Sequence, residues 1–274
     1  AQAILSQVVR AEVWPMTVAD ASECSRPTSC DTASADEGPG GQCSKDVDDV
    51  AALRDAWQAA PAVYCDLPGG CEGLRILGEP VMEAWEAPYM AALAAVACGE
   101  GLDELGGRVL EVGFGLGISA ANIDAYDAVQ EHVIVEANEE VLGRAAVWAD
   151  DARRPTTVIG GFWEDVVGDL PDASFGAILF DVFPLSAAQA AGDGEAGPFF
   201  AHAARLLRPG GRFAFYYDAG RNWIECVRAF RGETTSKLLA AGFASVEEDQ
   251  VQCTPRRGCT YFWKDRFLVP LARR

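Results

Sequence analysis

The densest cluster of reactive and ligand-facing residue types lies at Arg108 to Ser119, which reads Arg-Val-Leu-Glu-Val-Gly-Phe-Gly-Leu-Gly-Ile-Ser. Gly113, Gly115 and Gly117 free the backbone for left-handed turns, so amide N–H groups can approach an anionic or polar ligand closely. Glu111 stands two residues before the first glycine. A second acid, Glu136, ends the apolar run His132-Val133-Ile134-Val135, where it could accept hydrogen bonds from ribose hydroxyls. A third, Asp181, follows the apolar run Phe175 to Phe180. A fourth, Glu86, lies four residues from both Met82 and Met90. The glycine spacing, G-x-G-x-G, is tighter than the dinucleotide fingerprint G-x-G-x-x-G. With Glu111 and Glu136 it favours a nucleoside site, and S-adenosylmethionine over NAD. A tight turn without a ligand is the competing reading.

These residues need a scaffold, and the surrounding pattern supplies one. Val109 to Val112 is a short apolar run between glycines, as in a doubly buried strand, and Ile118 onward opens a helix. Val141 to Ala149 reads as a helix and Thr157 to Ile159 as a strand, followed by Phe162-Trp163, aromatics that could flank an adenine ring. Ala201 to Leu207 reads as a helix closed by Arg208-Pro209-Gly210-Gly211, and Arg212 to Tyr217 as a strand. A helix ends at Gly242, and Val246 to Val251 can pair antiparallel with Thr260 to Leu268. Strands alternating with helices predict an α/β fold around a doubly wound, mostly parallel sheet. Ligands bind such sheets beyond the carboxyl ends of the strands, where Asp181 falls.

Upstream, Asp46 to Ala60 reads as a helix with acids in its first turn and Val50, Leu53, Ala56 and Trp57 at helical spacing; Pro61 ends it. Pro80 is expected to open a second helix, running through a kink or break at Pro88 to Cys98, which would put Met82, Glu86 and Met90 on one face. Glu86 there is either a pocket wall holding a cation or a surface acid beside core methionines. Residues 1–45, rich in Ser, Asp, Gly, Pro and Cys between 22 and 42, read as an extension able to dock a protein partner. The expected division is therefore that extension, a helical cover at 46–100 and a nucleotide-fold core at 101–274.

The net charge of −19 gives nucleic acid and anionic membranes no basic footprint to meet, and suits a cationic substrate. No apolar run reaches membrane-spanning length. Nine cysteines include the pairs Cys24/Cys30, Cys65/Cys71 and Cys253/Cys259, each enclosing five residues. They lack the spacing of zinc sites, and no metal is expected; short-loop disulfides and free thiols both remain open. The chain starts at Ala rather than Met, so a processed or truncated form is expected. The default compartment is cytoplasmic, with an organelle-imported form as the alternative.

Leu74-Arg75-Ile76-Leu77-Gly78, Pro80-Val81-Met82-Glu83, Trp85-Glu86-Ala87-Pro88-Tyr89-Met90, Gly107 to Gly115, Gly161-Phe162-Trp163-Glu164-Asp165 and Asp181-Val182-Phe183-Pro184-Leu185-Ser186 together resemble guanidinoacetate N-methyltransferase, collinearly from about Trp57 onward. The resemblance implies a class I methyltransferase sheet of seven strands with an antiparallel last strand, and an N-terminal segment folded over the site. It implies that S-adenosylmethionine, leaving as S-adenosylhomocysteine, is held by Phe114, Gly115, Leu116, Gly117, Ile118 and Ser119, by Glu136, Ala137 and Asn138, by Phe162 and Trp163, and by Met90 and Trp57; the glycine turn and strand tips read above add Glu111, Gly113 and Asp181. It places a small guanidino substrate between Glu86 and Asp181, with Met82 lining the pocket.

A protonated guanidine has no free lone pair, so one carboxylate must orient the planar fork and another take a proton as the methyl transfers. Glu86 is expected to orient and Asp181 to act as base. The family presents Thr-Ser to the substrate carboxylate where this chain has Ala219-Gly220, leaving only backbone N–H groups there. Asp218 with Arg221 could instead meet the amino and carboxylate groups of free arginine. The leading reading is a guanidino N-methyltransferase. The alternative is a methyltransferase-fold structural subunit docked through its extension; a protein-arginine methyltransferase would need the open groove that the folded-over segment closes.

Overall fold

The computed structural model describes residues 42–185, 196–219 and 222–274. Most of the extension, along with Ser186, Gly220 and Arg221, lies outside them. The helix α1 (Gln42–Ala59) stops before Pro61, whose following chain is extended. A three-stranded antiparallel sheet follows, β1 (Ala62–Leu67), β2 (Cys71–Ile76) and β3 (Glu79–Glu83), with strand order β1-β2-β3. This corrects the helix expected from Pro80. Pro80 pairs with Arg75 on the outer strand β3, beside a register shift, where a missing N–H is tolerated. The helix starts instead at Ala87, with Pro88 inside the first turn of α2 (Ala87–Cys98), where the amide it lacks would have no helical partner.

The main sheet is built from β4 (Arg108–Val112), β5 (Glu131–Glu136), β6 (Thr156–Gly160), β7 (Phe175–Phe180), β8 (Leu207–Phe215), β9 (Ser245–Gln252) and β10 (Arg266–Arg273). Its order is β6-β5-β4-β7-β8-β10-β9, with β10 antiparallel to both neighbours and β4 to β8 parallel. This is the doubly wound sheet of class I methyltransferases. The connecting helices are α3 (Ile118–Asp124), α4 (Glu139–Asp150), α5 (Trp163–Val166), α6 (Ala196–Leu206), α7 (Trp223–Ala229) and α8 (Thr235–Ala240). Two boundaries differ from expectation. β8 already begins at Leu207, so Arg208-Pro209-Gly210-Gly211 lies in strand. β10 begins at Arg266, because Thr260 to Asp265 leaves the sheet to pack elsewhere.

Alternation along the strands splits the core by face. Leu110, Val112, Ile178, Phe180, Phe213 and Phe215 meet α6, α7 and α8, while Val109, Ala177, Leu179 and Ala214 meet α2 and α3. A third cluster joins Trp57, Leu74 and Ile76 to Phe114, Ile134 and Val141, so the small sheet and the end of α1 sit over the tips of β4 and β5. No helix among the described residues is long and apolar enough to cross a membrane. Cys65, Cys71, Cys98, Cys226, Cys253 and Cys259 are unbridged here, the pairs Cys65/Cys71 and Cys253/Cys259 included.

Candidate active site

Strand order reverses between β4 and β7, with β5 and β6 on one side and β8 on the other. Parallel sheets open a crevice at such a point. The tips are locked together by three 2.9 Å amide bonds: Gly113 to Val135 O, Asp181 to Val112 O and Tyr216 to Phe180 O. Gly113 has φ +92°, and a Cβ there would lie 1.9 Å from the carbonyl oxygen of Asp181. Only glycine allows that approach. Gly115 and Gly117 are also left-handed, at φ +53° and +74°, and the turn closes with Gly117 N–H donating to Phe114 O at 2.7 Å.

A cavity of about 390 Å³ opens beyond these tips. Along its wall run Gly113, Phe114, Gly115, Ser119, Glu136, Ala137, Phe162 and Trp163, with Trp57 arriving from α1 and Leu74, Ile76 and Met82 from the small sheet. Glu136 is pinned at the tip of β5: one oxygen accepts from the Phe114 amide at 2.9 Å, the other from the Asn138 amide at 2.8 Å. Burial raises its pKa, with those backbone donors opposing the rise. Asn138 works from behind the wall. Its Oδ1 caps α4, and its amide nitrogen donates to the carbonyls of Trp57 and Ala60, both at 2.8 Å. That clamp holds the end of α1 over the cavity, where Trp57 stacks on Phe183 with centroids 4.7 Å apart.

The far end holds two carboxylates. Asp181 stands at the tip of β7 and Glu86 at the entrance to α2, and both face the cavity. One Glu86 oxygen accepts from Tyr261 Oη at 2.6 Å and from the Glu83 amide at 3.0 Å. Tyr261 belongs to the connection between β9 and β10, which is tied down by a fork from Arg256 to Glu83 (two bonds of 2.7 Å) and by packing of Phe262 on Phe267. Burial lifts Glu86 to about 8, with Asp181 adding like-charge repulsion. Asp181 is lifted to about 7, first by burial and then by the charge of Glu111. Two desolvated carboxyls facing one cavity suit a planar cation with several N–H donors.

The model of the guanidinoacetate N-methyltransferase family matches residues 47–274. The chain belongs to this family. Its members are S-adenosylmethionine-dependent methyltransferases. Protein arginine N-methyltransferase 2 of Aspergillus oryzae is 29% identical over 174 residues, 62% of this chain and 39% of that protein. Its namesake in Yarrowia lipolytica is 30% identical over 170 residues, 59% of this chain and 33% of that protein. The guanidinoacetate N-methyltransferase-like chain thus spans well under half of those relatives. Spermidine synthase of Thermotoga maritima shares the fold at 15% identity, with a TM-score of 0.58 over 78% of this chain and 69% of that one.

Not every residue expected around a guanidinoacetate N-methyltransferase site reaches the cavity. Met90 is fully buried in the core under α2. It loses the shared face with Met82 because Met82 lies on a strand. Leu116, Gly117 and Ile118 shape the turn without lining the space. Glu111 is buried beneath it, accepting from Ser119 Oγ with one oxygen while the other lies 2.9 Å from His132 Nε2. Ala219 is buried beside the cavity-lining Asp218, and the expected Asp218–Arg221 pairing falls partly outside the described residues. The sequence reading missed Tyr216, Tyr261 and Phe183, which line the cavity. Phe183 follows Asp181 by two residues and was within reach of the strand-tip rule; Tyr261 carried no local signal.

The raised carboxyls make stability depend on pH. Between the ordinary carboxylate range and about 8, the folded protein keeps protons on Glu86 and Asp181 that the unfolded chain has released. The unfolded state binds fewer protons there, so stability of the ligand-free protein falls as pH rises through that window. Urea unfolding at about pH 5 and about pH 8 should show this decline, and Glu86→Gln should flatten it. Equal slopes in both proteins would mean that Glu86 ionises as freely as an exposed acid.

Proposed function

We propose that this chain transfers a methyl group from S-adenosylmethionine to a guanidino nitrogen of a small molecule. The observation that carries this reading is the placement of Glu86 and Asp181 on one cavity beside the glycine turn, both desolvated and short of a cation. A guanidinium, with a pKa of about 12.5 or more, arrives as that cation.

The near half of the cavity fits the cofactor's nucleoside. Trp57, Phe162, Val135 and Val141 form an apolar slot for a flat base, Glu136 offers acceptors at its edge, and the turn from Gly113 to Ser119 offers close backbone. When bound, S-adenosylmethionine supplies a sulfonium methyl already activated for displacement. The protein's task is then alignment and proton removal. Glu86, with one oxygen held by Tyr261, presents the other to the guanidinium fork and fixes the plane of its nitrogens. Asp181 accepts the proton that the attacking nitrogen must lose; its value of about 7 suits that exchange near neutral pH. Met82 and Phe183 exclude water around the reacting centre.

Guanidinoacetate and the guanidino group of arginine are the two substrates this reading supports, the second because two relatives are named for protein arginine. The test has two stages. Calorimetric titration with S-adenosylhomocysteine should show saturable one-to-one binding. Mass spectrometry of guanidino compounds incubated with the protein and S-adenosylmethionine should then show a 14-dalton gain in at least one, as replacing H by CH₃ requires. Binding without methylation of any guanidine would reject the reading, and absence of binding would leave a structural subunit in its place.

A further inference from the structure

The cavity has an unusual charge arrangement. Among the described residues, the wall of the whole cavity holds five acids (Glu86, Glu136, Glu164, Asp181 and Asp218) and no Lys, Arg or His. Two of these acids pair with cations that are not in the lining: Glu164 with Arg54, and Asp218 with Lys264. Lys264 donates from Nζ to Asp218 Oδ1, and the two side chains are only 6% and 23% exposed. Asp218 leaves the tip of β8, and Lys264 sits on the connection between β9 and β10 that also delivers Tyr261 to Glu86.

Such a pair is a poor stabiliser. Desolvating two charges costs about as much as their attraction returns, and apolar residues of similar size usually do as well. Its position gives it another use. An ammonium has three donors and a carboxylate four acceptor sites, so one mutual bond leaves both groups able to bind a ligand. An ion pair is complementary to a second ion pair laid against it in the opposite sense. An α-amino acid zwitterion has that form.

We propose that Asp218 and Lys264 read the end of the substrate remote from its guanidinium, and that this end is a zwitterionic α-amino acid. The substrate ammonium meets the second oxygen of Asp218, and the substrate carboxylate meets Nζ of Lys264. This rests on the guanidino methyl transfer proposed above and narrows it to arginine-like free amino acids. A guanidine bearing only a carboxylate would set it against Asp218. One bearing only an amine would meet Lys264. An arginine within a peptide has neither charge to offer.

The test measures kcat/KM for four guanidines with the full chain and saturating S-adenosylmethionine: L-arginine, guanidinoacetate (carboxylate only), agmatine (amine only) and N-acetylarginine amide (neither). L-arginine should exceed each of the others by about tenfold or more, the worth of one charge-assisted bond. Lys264→Met should remove the advantage over agmatine, chiefly through KM. Asp218→Asn should remove the advantage over guanidinoacetate. In the reversed pair, Asp218→Lys with Lys264→Asp, the bridge between the two loops is kept, yet the preference for L-arginine should still be lost. A wild type preferring guanidinoacetate or the amide overturns the inference and leaves the methyl transfer standing. So does an equal fall for all four substrates in every variant, the mark of a purely structural bridge. Methylation of none, with S-adenosylhomocysteine still bound, rejects the methyl transfer itself and this inference with it.

Discussion

Replacing Asp181 by Asn should lower kcat for guanidino methylation by about 10²–10⁴-fold, the usual worth of a general base, while S-adenosylhomocysteine still binds. The amide keeps the side chain's shape at the tip of β7 and loses only its capacity to take a proton. The backbone N–H of residue 181, which donates to Val112 O at 2.9 Å, is untouched, so the strand junction should survive. The pH dependence should change as well. The wild-type kcat/KM, which reports the free enzyme, should rise through about 7, where burial and Glu111 have moved the pKa of Asp181, and the variant's residual kcat/KM should lack that limb. Near wild-type turnover in Asp181→Asn would move the proton acceptor elsewhere, Glu86 first.

The second large effect is structural. Gly113→Ala forces a Cβ to within 1.9 Å of the Asp181 carbonyl oxygen and 3.0 Å of its carbon, at a φ of +92° that side chains rarely adopt. Neither atom is the end of a flexible side chain, so the β4 and β7 tips must separate. A cost of about 3 kcal/mol or more is expected from the strain and the lost tip contacts, with loss of S-adenosylhomocysteine binding. Two other glycines calibrate the experiment. At Gly115 the new methyl would meet only the Met82 sulfur at 3.1 Å, which can move, so a smaller loss is expected. Gly143 lies exposed inside α4 with nothing within 4 Å of its Cβ position, and Gly143→Ala should stabilise by about 0.5–1 kcal/mol. Urea denaturation of the three variants would show whether the order holds; a Gly113→Ala protein as stable as wild type would contradict the close approach on which the site's geometry depends.

What the sequence determined by itself was the part governed by local rules. Doubly buried strands such as Val109 to Val112 and Phe175 to Phe180 are uninterrupted apolar runs, and their helices alternate with them, so the parallel sheet follows from pattern alone. The acids at the strand tips were visible for the same reason, since a strand's end marks its ligand-facing edge. The glycine turn was visible because only glycine takes those backbone angles freely.

Tertiary structure decided the rest. Residues 62–83 form a sheet although their strands are half exposed and mix charged with apolar residues; their pairing is set by packing on the Trp57 and Phe114 cluster rather than by periodicity. Met82 therefore reaches the cavity from a strand and Met90 drops into the core, though both had seemed to share a helix face. Tyr261 lies 175 residues from Glu86, and Lys264 lies 46 from Asp218. No local propensity encodes such partners, because they depend on where an irregular loop is pinned by Arg256, Glu83 and Phe262. The sheet and the acids on its edge were a matter of sequence pattern; the grip on each acid, and with it the choice of substrate, belongs to contacts that exist only once the chain has folded.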